Sequence, residues 1–304
     1  VARGLLGMAE LSREEIQSIL DRSKDFQQHQ TEPVKKYDLL RGKMIVNLFF
    51  ESSTRTRTSF EIAAKRLGAD AISISASASS VSKGESLVDT LNTLGAMRPN
   101  AIVMRHAASG APHFLSRYLP TPIINAGDGT HEHPTQALLD ARTILDHRTT
   151  LEGLKVAIIG DIAHSRVARS NMYLLSKFGA GVVLCGPPTL LPRELGTLTP
   201  GVTLTYNMRE AIAGADVIMM LRVQLERQHE TPFPPNEYFP FYGLRLDHVG
   251  LAKPNVLVMH PGPINRGREL SSEVADSRQS VILSQVENGV AVRMAVLERV
   301  LNEA

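Results

Sequence analysis

Apolar and polar positions along this chain switch between two periods. Short apolar runs of strand length alternate with longer stretches whose apolar residues recur at helical spacing. Ser12 and Glu15 have the spacing of a capping box and predict an amphipathic helix from there to about Gln30. MIVNLFF (44–50) reads as a buried strand, and Thr54 to Leu67 as the helix behind it, stopped by Gly68. AISIS (71–75) is a short strand, SASSVSKGES a small-residue loop, and Leu87 to Met97 a helix. AIVMR (101–105), Phe114 to Tyr118 and PIINA (122–126) continue the alternation, and Pro134 to Leu145 forms a longer helix. A second series opens at LKVAIIGD (154–161), with a helix from about Arg166 to Phe178. VVLCG (182–186), DVIMML (216–221) and VLVMH (256–260) supply its later strands.

Strand–helix order over two series predicts an α/β protein of two doubly wound domains, each a parallel sheet flanked by helices. The expected boundaries are 1–146 and 147–280. The closing helix, Val281 to Leu301, is expected to pack back on the first domain and complete it with residues 281–304. The proline- and aromatic-rich segment 224–244 shows little periodicity and reads as a mobile loop near a site.

Composition narrows the partners. The chain has 304 residues, long enough for two ordinary cores, and 33 Lys+Arg against 31 Asp+Glu give a net charge of +2. That balance argues against nucleic acid or an anionic membrane as the general partner, so any electropositive site must be local. A single cysteine, Cys185, rules out a disulfide framework within one chain and fits a cytoplasmic address. The start of the sequence shows no signal-peptide pattern, and no apolar run approaches the roughly 18 residues of a membrane span.

The chemistry gathers at strand ends. FESSTRTRTSF places Ser53, Thr54, Arg55, Thr56 and Arg57 after a strand and at the start of a helix. Unpaired backbone N–H groups and the helix dipole there favour an anion, and Arg55 can grip two phosphate oxygens in a planar fork. The residues alone leave two readings open, a phosphate cradle or an N-cap with solvated arginines. VMRH ends a strand in Arg105, for which a surface ion pair is the alternative. GDGTHEHPTQALLD brings His131, His133 and Gln136 to the end of strand 122–126. The His131–His133 pair has no third metal ligand beside it in sequence, and a neutral His133 donating to a carbonyl oxygen is the better use. IGDIAHSR begins like a dinucleotide turn, but after Gly160 the further glycines of GxGxxG are missing. Arg166 there suits a carboxylate.

Taken in order, STRTR, VMRH, HPTQ, GD…R, RVQ and HPGP make the chain similar, over essentially its whole length, to the carbamoyltransferase family. Within it the late motifs resemble the aspartate rather than the ornithine branch. Residues 260–263 are His-Pro-Gly-Pro where ornithine enzymes carry a cysteine motif, and no Ser-Met-Gly loop occurs. Arg166 and Arg222 are two arginines for the two carboxylates of aspartate. Three alternatives remain at this stage: transfer to another amine, a non-catalytic relative, and an NAD-dependent dehydrogenase.

The resemblance implies transfer of the carbamoyl group from carbamoyl phosphate to L-aspartate, a step of pyrimidine biosynthesis. It assigns Ser53, Thr54, Arg55, Thr56 and Arg105 to carbamoyl phosphate, and His133 with Thr56 to the carbonyl oxygen. Gln136 would fix the carbamoyl nitrogen with the carbonyls of Gly262 and Pro263. Arg166, Arg222 and Gln224 would hold aspartate. Lys83, with Ser79 the preferred serine over Ser80 and Ser82, would enter the active site of a neighbouring chain, which implies a homotrimer with shared sites. No metal and no organic cofactor is expected, since the leaving phosphate can take the proton. Whether regulatory chains or a dihydroorotase-like protein join the trimer stays open.

Overall fold

The structure, a computed structural model, describes residues 4–29, 32, 36–75, 86–223 and 233–302. It divides into two compact units: Val1–Arg142 with Glu287–Ala304, and Thr143–Val286.

Unit 1 is built on a five-stranded, all-parallel sheet ordered β1-β5-β4-β2-β3. Its strands are β1 (Gly4–Leu5), β2 (Met44–Phe49), β3 (Asp70–Ser75), β4 (Ala101–His106) and β5 (Ile123–Asp128). The inner strands β2, β4 and β5 are mostly apolar and covered on both faces, and Ile45, Ile102, Val103 and Ile124 are fully buried. Edge strand β3 is largely exposed. The helices are α1 (Arg13–Gln28), α2 (Thr54–Arg66), α3 (Leu87–Ala96), the short α4 (Ala111–Leu115) and α5 (Pro134–Leu145). The Ser12–Glu15 capping box closes as the sequence predicts, satisfying two backbone N–H groups at the start of α1. On α2, Phe60, Ala63 and Ala64 form the buried face. The stretch Phe114 to Tyr118 starts inside α4, which is one helical turn introduced by Gly110 at φ 80°.

Unit 2 repeats the plan with order β10-β9-β6-β7-β8, again all parallel. Its strands are β6 (Lys155–Ile159), β7 (Gly181–Cys185), β8 (Val202–Thr205), β9 (Val217–Met220) and β10 (Leu257–Met259). The helices are α6 (Arg166–Lys177), α7 (Leu195–Leu198), α8 (Met208–Ile212), α9 (Pro235–Tyr242), α10 (Leu246–Val249) and α11 (Ser272–Ala275). The sequence gives residues 224–244 as a mobile loop. Of these, 224–232 lie outside the described residues, and Pro235–Tyr242 form α9. The helix is held by aromatic packing rather than by an apolar stripe. Tyr238 and Tyr242 are buried in the unit 2 core, and the Phe233 ring stands edge-on to both.

The last helix, α12 (Ile282–Asn302), packs on unit 1 through its 287–302 portion. Arg22 of α1 donates from Nε and Nη2 to Glu298 at 2.6 and 2.8 Å, and Arg299 donates to Glu15 at 2.6 Å. Arg293, fully buried, donates to Ser59 Oγ at 2.9 Å and lies over the Phe60 ring, both on α2. No helix among the described residues is long and apolar enough to cross a membrane.

Candidate active site

Each sheet has one place where strand order reverses. In unit 1, β2 leads to β3 on one side and β4 leads to β5 on the other, so the crevice lies at the carboxyl ends of β2 and β4. In unit 2, β6 leads to β7 and β8, whereas β9 leads to β10, so the crevice lies between β6 and β9. The described residues singled out in the sequence lie at the ends of the strands of these two sheets or in the segments that follow them.

At the first, Ser53 is the N-cap of α2, with extended backbone and no side-chain cap bond. Ser12, Ser86, Ser165, Asn207 and Ser271 all accept from their own helix's backbone N–H, and Ser53 does not. The first turn of α2 carries no acidic residue, and Arg55 and Arg57 lie in it instead. Cations at the positive end of a helix are unfavourable by a few tenths of a kcal/mol to about 1 kcal/mol each. An anion bound to the N–H groups and to Arg55 reverses that sign. Thr56 is buried and faces the unit, while Thr54 and Arg55 are exposed.

Arg105 stands at the end of β4, in register with Phe49 of β2. Its Nη2 donates to Glu51 Oε1 at 2.8 Å and its Nη1 to the Ala126 carbonyl at 3.4 Å. The guanidinium is therefore tied both to the connection carrying the cradle and to the end of β5. His133 is buried immediately before α5, and its carbonyl accepts from Gln136 and Ala137 N–H. Gln136 Nε2 donates to Asp140 Oδ1 at 2.9 Å, one turn along α5, with both side chains buried. A carboxylate accepts only, so this bond fixes which end of the amide faces it and turns Gln136 Oε1, the acceptor, the other way. Asp140 also lies in the field of Arg293, whose pKa burial brings down to about 10.

At the second crevice, Arg166 is the first residue of α6, buried, with Ser165 as a capping N-cap. Gly160, at φ 142°, follows β6 where a side chain would run into Leu221 Cβ. Arg222 follows β9 by two residues, and Ile159 of β6 pairs with Met220 of β9. The two arginines are thus set at the ends of adjacent strands. The buried Glu269 carboxyl, pushed up by burial, accepts from Val223 N–H at 3.2 Å and from Asn265 N–H and Nδ2 at 2.8 Å. It thereby holds the residue after Arg222 against the segment after β10. That segment contains Gly262 and Pro263. Gly262 has φ 68°, where glycine is favoured, and its N–H donates to His260 Nδ1 at 2.8 Å.

Of the residues singled out in the sequence, Ser53, Thr54, Arg55, Thr56, Arg105, His133 and Gln136 all belong to unit 1. Arg166, Arg222, Gly262 and Pro263 belong to unit 2. Ser79, Lys83 and Gln224 lie outside the described residues. Sequence reasoning passes over Glu51, Asp140, Glu269 and Arg293. Glu51 stands inside the quoted FESSTRTR stretch, and Asp140 is four residues from Gln136 on one helix face, so both left a local signal. Arg293 left none, because its neighbours come from far along the chain.

Comparison with known proteins also divides the chain in two, with the residues of the last helix counted in the second part. Residues 3–146 match the family model described as aspartate/ornithine carbamoyltransferase, carbamoyl-P binding domain, and residues 152–300 match the Asp/Orn binding domain of the same family. The aspartate carbamoyltransferase catalytic subunit of Solibacter usitatus is 79% identical, covering 98% of this chain and 99% of that protein. Its counterpart in Geobacter sulfurreducens is 58% identical over 98% of this chain and 96% of that protein. Among solved structures, the ornithine carbamoyltransferase of Pyrococcus furiosus superposes with a TM-score of 0.88 at 33% identity, covering 98% of this chain and 96% of that one. The aspartate transcarbamoylase of Trypanosoma cruzi, in complex with N-(phosphonacetyl)-L-aspartic acid, gives 0.88 at 31%, covering 98% and 95%. Backbone likeness does not separate the two acceptors, and the sequence relatives do.

Proposed function

Because the chain belongs to the aspartate/ornithine carbamoyltransferase family, we propose that the strand-end cradle of unit 1 binds carbamoyl phosphate and that the arginines of unit 2 bind the acceptor. The chain transfers the carbamoyl group of carbamoyl phosphate to the amino group of L-aspartate, giving N-carbamoyl-L-aspartate and phosphate. The observation that supports the residue assignment best is the start of α2, with an N-cap serine that makes no cap bond and Arg55 in the first turn.

In this reading Ser53, Thr54, Arg55 and Thr56 hold the phosphate, and Arg105 bridges phosphate and carbonyl oxygen. The aspartate amino group attacks the carbonyl carbon, and negative charge gathers on that oxygen. Donation from His133 and Thr56 meets it, an effect usually worth a few kcal/mol per donor. Gln136, oriented by Asp140, accepts from the carbamoyl –NH2 through Oε1, and the Gly262 and Pro263 carbonyls act on the same group. Collapse of the tetrahedral intermediate breaks the carbon–oxygen bond, and the departing phosphate takes the proton from the amine. Arg166, Arg222 and Gln224 grip the two carboxylates of aspartate, which is why ornithine, with one, is the poorer acceptor. No organic cofactor has a part in these steps.

The reading also includes a cytoplasmic homotrimer in which Ser79 and Lys83 complete the site of a neighbouring chain. Calorimetric titration with carbamoyl phosphate tests the cradle: Arg55→Ala should abolish measurable binding, and unchanged affinity would remove Arg55 from the site. Mixing tests the sharing. Arg55→Ala and Lys83→Ala trimers should each be nearly inactive, and random hybrids of the two should regain roughly a quarter of wild-type activity. No regain would mean that each site lies inside one chain.

A further inference from the structure

Asp128 stands three residues before His131, and the fold brings a second histidine, His113, from α4 to the same place. We propose that His113, Asp128 and His131 form a site for a divalent transition-metal ion of the zinc class, with Glu10 orienting His113.

One ligand atom from each of the three residues lies within 4.8 Å of the other two. Around a tetrahedral ion with bonds of about 2.0–2.2 Å, ligand atoms stand roughly 3.4 Å apart, so small side-chain rotations close the site. The two imidazole rings already face each other edge to plane, with centroids 5.3 Å apart. The backbone holds the pair Asp128 and His131 in a tight turn. His131 N–H donates to the Asp128 carbonyl at 2.9 Å, and Asp128 N–H donates to the Glu132 carbonyl at 3.1 Å. Asp128 itself is fully buried, and its Oδ1 accepts from Asn125 Nδ2 and from Glu132 N–H. Its Oδ2 accepts from Gly110 N–H at 2.6 Å and meets His131 Nδ1 at 3.0 Å. Both oxygens are thus anchored, and Oδ2 is the one turned towards the histidines.

A second observation points the same way. His113 Nε2 lies 2.9 Å from Glu10 Oε1, which fixes that nitrogen as the donor. The other nitrogen, Nδ1, then carries the lone pair. It is buried, and among the described residues no hydrogen-bond partner reaches it. A bare buried acceptor costs about 1–3 kcal/mol. A metal-ligating histidine shows this arrangement, with one nitrogen given to a carboxylate and the other left to bind.

Two imidazoles and one carboxylate select zinc, cobalt or nickel over magnesium or calcium, which prefer all-oxygen shells. None of the four residues is assigned to carbamoyl transfer, so binding can be read without activity. An ion there would join α4 to the turn that ends in His133.

Chelator-treated protein titrated with Zn2+ by calorimetry, and with Co2+ by visible absorption, should take up one ion per chain with a tetrahedral cobalt spectrum. His113→Gln and His131→Gln should each weaken binding at least tenfold, and Glu10→Gln by about tenfold, the usual cost of removing a carboxylate behind a ligand. His147→Gln should change nothing. Anomalous diffraction at the zinc edge from wild-type crystals, which needs no variant to fold, should place the ion between His113, Asp128 and His131. Failure of the wild type to bind either ion, an anomalous peak elsewhere, or undiminished binding in both histidine variants would overturn the site.

Discussion

Arg105 Nη2 donates to Glu51 Oε1 across 2.8 Å, joining the end of β4 to the connection between β2 and α2. Both groups are mostly shielded from water, so the pair sets the direction of the guanidinium beside the cradle rather than decorating a surface. Glu51→Ala should leave Arg105 charged but unguided. The KM for carbamoyl phosphate should rise about tenfold, roughly 1.4 kcal/mol, with a smaller fall in kcat. Steady-state kinetics decide it, and a lower KM would mean that Glu51 competes with the phosphate.

His133 stands buried at the start of α5, where it can donate to the charge that forms only during transfer. His133→Ala should lower kcat by about a hundredfold or more, while the dissociation constant for carbamoyl phosphate moves less than about tenfold. Single-turnover rates beside equilibrium binding separate the two effects. An unchanged rate would strip His133 of its role.

Arg222 follows β9 and Arg166 opens α6 after β6, so each can take one carboxylate of the acceptor. Arg222→Ala should raise the KM for aspartate by about a hundredfold or more, since a buried carboxylate would lose its charged partner. Carbamoyl phosphate binding, measured without aspartate, should stay within about twofold of wild type. Equal losses for both substrates would place Arg222 on the phosphate instead.

Arg293 ties α12 to Ser59 and Phe60 on α2 and lies in the field of Asp140 on α5. Arg293→Met should cost about 3 kcal/mol in denaturant unfolding, because Asp140 stays buried without its cation. The pH sign follows from burial, which brings the guanidinium down to about 10. The unfolded chain binds the extra proton only above that value, so the folded state carries the whole cost of the buried charge at every lower pH. The difference between wild type and variant should therefore be flat from about pH 6 to 9. A variant as stable as wild type would show that Asp140 does not depend on Arg293.

The sequence made the inner strands and the long helices legible because buried parallel strands read as unbroken apolar runs and long helices repeat their stripe. It missed what is too short or too local. β1 has two residues, and β8 alternates weakly at the sheet edge. Helix α9 is built from rings and prolines rather than from a stripe. Of the candidate site, the groups proposed at strand ends could be named from the sequence because doubly wound sheets put ligands there. The carboxylates that aim them, Glu51, Asp140 and Glu269, were not, since aiming depends on distances that a linear pattern does not carry. Pairings such as Arg293 with α2, or His113 with His131, exist only once the sheet is formed.

The measurement that bears most directly on the account is product analysis with carbamoyl phosphate labelled at carbon and two competing acceptors. Purified protein given equal aspartate and ornithine should form N-carbamoyl-L-aspartate and one phosphate per turnover, with citrulline below about one part in a hundred, the discrimination expected when a site built for two carboxylates meets one. Citrulline in excess, or phosphate released without any carbamoylated acceptor, would contradict it.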